Sequence, residues 1–316
     1  MNRKYLFTLS HNILFLLITI LSFLYTGTAA QIERKSLTFQ NFQVIYISGQ
    51  ENVGQIVIKL IENHVPQLSR FYELNLSGTI KIVVTGSAND FRKYRNLNIP
   101  AWSGALYFPS KKEMVVKSPT WAGSVANLEE HILHELSHVY FHEKFGSQKL
   151  PLWYNEGLAE YLSNAKIDIA NALKLANAFA THNLIPFEEI DSLITFSSRS
   201  KAELAYLQSL SMVSFLKEAL PQHTNWPKFH NLIVQEGWEI ALKKSTGMDD
   251  LDLEIAWYNF IDKEYRWLLL LNIETLIWPA LVVVLIVGFF IIRFRNKRKI
   301  RKWNDEESGD SFSDLQ

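Results

Sequence analysis

The chain has 316 residues, with 32 Lys and Arg against 32 Asp and Glu, no cysteine and 48% apolar residues. Zero net charge at this length excludes a basic nucleic-acid binder and an acidic disordered chain. The lack of cysteine excludes a disulfide scaffold, a thiolate zinc finger, a thiol nucleophile and an iron–sulfur centre.

The apolar residues are unevenly placed. Residues 1–30 hold Arg3 and Lys4, an uncharged apolar run from Ile13 to Tyr25, and the small residues Thr28 and Ala30 at the end. That order matches a secretory signal peptide, and the run is short for a membrane span; an uncleaved signal anchor is the alternative. The alternating, β-branched stretch 37–47 predicts one or two strands. Residues 52–74 carry apolar side chains at helical spacing (Val53, Ile56, Val57, Leu60, Ile61, Leu68, Phe71), a helix expected to bend at Pro66. A strand is expected over 79–85, a short helix over 88–95, and a strand pair over 104–108 and 113–117. From Asn127 onward the pattern is helical. Strands first and helices later predict an α+β domain over residues 31–266, with a mixed sheet in its first part and a helical second half.

A second apolar stretch, Thr275 to Ile292, contains no charge. At ~1.5 Å per residue it reaches about 27 Å, near the thickness of a bilayer's hydrocarbon core. A transmembrane helix is therefore expected over 273–292. Seven of the ten residues from Arg293 to Lys302 are Lys or Arg, which places the 293–316 tail in the cytoplasm and the preceding domain outside it. The end of the tail, from Asp305, is acidic and Ser-rich, a composition expected to be disordered. A cysteine-free exported domain suits a bacterial envelope, so the expected location is the inner membrane, single-pass.

The chemistry lies in Leu128 to Lys144. His134-Glu135-Leu136-Ser137-His138 is an H-E-x-x-H motif. On a helix, residues four apart share a face, so both imidazoles can reach one Zn²⁺ ion with Glu135 beside its open position as general base. His131 and His142 lie one turn to either side and read as supporting or surface residues. Downstream, Trp153-Tyr154-Asn155-Glu156-Gly157-Leu158-Ala159-Glu160-Tyr161 follows, with 17 residues between His138 and Glu156. Glu156 can supply a third ligand, and Glu160, one turn on, can accept a hydrogen bond from a ligand imidazole.

HELSH followed by WYNEGLAEY resembles the gluzincin metallopeptidases, the thermolysin and aminopeptidase N clan, and most closely their compact peptidase MA-like domains. The resemblance covers most of residues 39–266. It implies a thermolysin-like zincin domain, zinc ligands at His134, His138 and Glu156, a general base at Glu135, and a peptide or protein substrate. Similar members carry a Tyr oxyanion donor in a helix-opening segment, which here is Ala205 to Ser209. Tyr206 is thus the implied donor, and a Tyr packed between helices is the alternative. Substrate in this clan pairs with an edge strand, here Trp102–Phe108 or Met114–Lys117. The Gly-Ala-Met-Glu-Asn segment of the aminopeptidases is missing. So is the metzincin pattern, because Phe141 and Lys144 stand where Gly and His would be. The competing reading is a catalytically inactive gluzincin-like binding or scaffold module of the envelope. An intramembrane protease is disfavoured, because Glu129, Glu130, Glu143 and Lys144 flank the motif.

Overall fold

The computed structural model describes residues 33–94, 102–190, 198–271 and 273–313; the expected signal segment lies outside the described residues. The fold is mixed α+β, and the chain divides into two compact units, Met1–Glu143 and Lys144–Gln316.

In the first unit, β1 (Arg34–Phe39) and β2 (Phe42–Ile47) form an antiparallel hairpin. The alternating run is therefore two strands, and the first begins at Arg34, ahead of the expected Leu37. Helix α1 (Glu51–Tyr72) stays one helix through Pro66 and leads to β3 (Ile80–Thr85), which lies parallel to β2. After the short α2 (Ala88–Arg92) come β4 (Ala105–Phe108) and β5 (Glu113–Lys117), an antiparallel pair. The strand order is β1-β2-β3-β5-β4. Because β5 runs beside both β3 and β4, its backbone groups are already paired. Met114–Lys117 is thus an internal strand, which corrects one of the two expected edge segments; β4 is at the edge.

Val44, Ile82 and Met114 lie abreast across three strands and are fully buried. Tyr46, on the same face as Val44, lies against α1 at Gly54, where a Cβ would come within 2.7 Å of its ring. Helix α1 covers this face of the sheet. Val83 and Val115 face the other way and pack with Phe91, Leu106 and Trp121.

Helix α3 (Val125–Phe145) carries the H-E-x-x-H motif. It starts two residues before the expected Asn127, because Ser124 and Asn127 cap it. The Asn127 N–H donates to Ser124 Oγ (3.2 Å), and the Ser124 N–H donates to Asn127 Oδ1 (3.0 Å). Three contacts tie α3 to α1: Ser137 Oγ with Tyr72 Oη (3.0 Å), Tyr140 Oη with Ser69 Oγ (2.8 Å), and Glu129 with His64 (3.3 Å).

The second unit is helical: α4 (Leu152–Leu162), α5 (Ile169–Ala180), α6 (Phe187–Ile190), α7 (Arg199–Ala219), α8 (Trp226–Glu236), α9 (Trp238–Thr246) and α10 (Asp250–Tyr265). Helices α4 and α7 meet almost backbone to backbone. A Cβ at Gly157 would sit 2.3 Å from the Ser209 carbonyl oxygen, so only glycine permits this approach. Buried Gln208 on α7 holds the Ile185 peptide by both its N–H and its C=O, at 2.9 Å each. Trp257 on α10 donates to Ser211 on α7 (3.1 Å).

Helix α7 begins at Arg199, where the Ser198 side chain accepts from the Lys201 N–H. Tyr206 therefore lies well inside the helix, a correction to the expectation that Ala205 to Ser209 opens one. A 3₁₀ segment, Arg266–Leu271, then leads to α11 (Ile273–Ser313). One helix among the described residues is long and apolar enough to cross a membrane, Ile277–Asn304, and none of it is buried in the protein. The backbone stays helical to Ser313, where a disordered end was expected. No Pro follows Pro279, so every later residue keeps the backbone N–H that a helix needs.

Candidate metal centre

In α3, the motif helix is fixed by the side that carries no ligand. Leu133, Leu136, Ser137 and Tyr140 are buried, and Ser137, inside the motif, reaches the Tyr72 hydroxyl on α1. Burial there pushes the Tyr72 phenol well above its ordinary pKa, only partly offset by Ser137. This anchoring leaves His134 and His138 half-buried on the remaining face, their ring centroids 4.8 Å apart and nearly perpendicular. Glu135, between them in sequence, is only 9% exposed.

In α4, Trp153, Tyr154, Gly157 and Leu158 are buried. The Tyr154 hydroxyl meets His230 Nε2 at 3.0 Å, and the Tyr154 ring packs against Trp238 with centroids 4.8 Å apart. Together with the Gly157 contact to α7, these fix the rotation of the helix. Glu156 and Glu160 share the strip that the core does not use, both half-buried.

His134, His138 and Glu156 each offer one ligand atom, and these atoms all lie within 4.8 Å of one another. Zinc ligands at 2.0–2.2 Å from a shared ion stand roughly 3.4 Å apart, a little closer than the limit of this group. Two imidazoles and one carboxylate are the donor set of a catalytic zinc site, which keeps a position open. Glu160, one turn after Glu156 on α4, is not a member of the group. Tyr206 is half-buried on α7, one turn before Ser209.

Two residues outside the expected set shape the surroundings. His131, one turn before His134, lies against the entry to β4, where a Cβ on Gly104 would fall 2.0 Å from its ring. Only a glycine lets the strand pass there, and a lone glycine ahead of the strand is the sole trace of it in the sequence. At the far end of α3, Lys112 binds Glu143 and the Ser77 carbonyl. Nearby on β4, burial and then the charge of Glu143 push the Tyr107 phenol up to about 12. His142 is exposed.

A search of curated proteins finds no match for the chain. A family model, that of the Peptidase MA superfamily, matches residues 64–263, a span that holds both HELSH and WYNEGLAEY. With well over half its length in that match, the chain belongs to the Peptidase MA superfamily.

Proposed function

We propose that the protein is a membrane-anchored zinc-dependent peptidase of thermolysin-like fold that hydrolyses peptide bonds outside the cytoplasm. The observation that carries this reading is two imidazoles and a carboxylate gathered within 4.8 Å in a chain of this superfamily. His134, His138 and Glu156 are the ligands. A zinc ion held there supplies Lewis acidity and lowers the pKa of water to about 7. Glu135 accepts the proton of the attacking water on a carboxylate oxygen and passes it to the departing amine nitrogen. Tyr206 donates its hydroxyl to the oxygen on which negative charge develops. Glu160 accepts from a ligand imidazole and fixes its tautomer. The exposed edge of β4 pairs with the extended backbone of a peptide or protein substrate. Helix α11 anchors the chain in the inner membrane, with its basic flank in the cytoplasm.

The test uses the purified full chain, metal analysis and a peptide library. Wild type should carry one zinc, and His138→Ala should lose it. Glu135→Gln should keep the metal and lose cleavage by about 10²–10⁴-fold, the usual contribution of a general base. Equal zinc in His138→Ala would remove the site, and cleavage by Glu135→Gln at the wild-type rate would remove the mechanism. Zinc without cleavage by either protein would instead identify a binding module.

A further inference from the structure

The 3₁₀ segment between the last domain helix and α11 has the sequence Arg-Trp-Leu-Leu-Leu-Leu, residues 266–271. Three residues per turn place positions 267 and 270 on one face. Leu268 points into the second unit and is 4% exposed, and Leu269 lines a small apolar recess with Ala176 and Phe179 of α5 and Ile261 of α10. Trp267 and Leu270 point away, 56% and 68% exposed. Two large apolar side chains on one exposed face suit a contact with something apolar. The chain identifies that contact, since the stretch able to cross a membrane begins at Ile277, seven residues after Leu270. Trp is also the residue that favours the boundary between headgroups and acyl chains, where its ring is buried and its N–H stays wet.

We propose that Trp267 and Leu270 insert into the headgroup–acyl boundary of the bilayer and fasten the domain to the membrane surface by a second attachment beside the span. This rests on the reading of α11 as a membrane anchor. Charge does not drive it. Arg266 is paired with Asp262 at 2.6 Å, and Lys263 stands next to Glu264, so a zwitterionic bilayer suffices.

The absence of cysteine makes an introduced thiol the only labelling site. The full chain, reconstituted in phosphatidylcholine vesicles, would carry a nitroxide at Trp267→Cys or at Leu270→Cys. Leu281→Cys in the span and Ile169→Cys, at a position 71% exposed on α5, serve as references. Oxygen, which concentrates in lipid, should collide with the label more often than a water-soluble nickel chelate at 267, 270 and 281. The order should reverse at 169. Chelate preference at 267 and 270 with lipid preference at 281 would overturn the proposal and leave the anchor standing. Chelate preference at 281 would overturn both. Spin–spin broadening at 270 that disappears on dilution with unlabelled protein would assign the face to a second copy of the chain and also overturn it.

Discussion

Tyr206 stands half-buried inside α7, one turn before the Ser209 carbonyl that meets Gly157 of α4. That packing joins its helix to the one bearing Glu156, so a small displacement of either helix would move both side chains. If the hydroxyl donates to the developing oxyanion, Tyr206→Phe should lower kcat by about 10²–10³-fold with KM little changed, the cost of one oxyanion donor. A Tyr serving only as packing would leave kcat unchanged in steady-state assays, because Phe fills the same space. The His pair was legible in the sequence because its spacing is local: four residues on a helix fix a shared face whatever the rest of the chain does. Glu156 was legible only through the wording of its segment, since no local rule brings α3 and α4 side chains together. The crowding of His131 against Gly104 was not legible, because a backbone's approach to a side chain leaves only the weak mark of a glycine.

At the scale of elements, hydrophobic periodicity found the helices but not all their beginnings. Helices α3 and α7 start earlier than their apolar pattern suggests, at the polar caps Ser124 and Ser198. Periodicity is blind to caps, because they hydrogen-bond and do not pack. Sheet order was equally hidden. The apolar runs of β4 and β5 look alike, and nothing in four or five residues says which strand has two neighbours. A mid-helix glycine within WYNEGLAEY, in contrast, was a readable mark of close packing. Gly157→Ala tests its weight. The added methyl would press on the Ser209 carbonyl oxygen and on Val213 Cγ2, at 2.3 and 2.6 Å. Overpacking of this kind costs about 1–3 kcal/mol. For a unit of this size each kcal/mol lowers Tm by roughly 2–4 °C. Thermal unfolding should show that loss, and, where His134, His138 and Glu156 hold zinc as proposed, metal analysis should show weaker retention, since α4 would shift with Glu156 on it. An unchanged Tm would mean that the two helices separate freely, contrary to the packing described.

For the whole molecule, zero net charge is a sum of unlike parts. Residues 31–272 hold 23 basic and 26 acidic side chains, while Arg293 to Lys302 concentrate seven positive charges directly after the apolar stretch. On the other side of that stretch, Lys263 and Arg266 are the only cations from Asp262 to Glu274. Orientation follows the Lys and Arg bias within about 15–20 residues of a span's ends, with acidic groups counting little. By that rule, seven against two is expected to direct the C-terminal flank to the cytoplasm. A reporter active only in the cytoplasm should therefore work when fused after Lys302 and fail when fused after Tyr265. A reporter active only after export should do the reverse. The expected signal at residues 1–30 would act in the same sense as the basic flank, since a cleaved signal or an anchor would each leave the domain outside and let the last span return the chain. Replacing the seven cations with Gln should then weaken retention of the flank while the domain is still exported, giving mixed reporter activity after residue 302. Export activity after Lys302 in the unaltered chain would refute the orientation, and with it the placing of the peptidase site outside the cytoplasm.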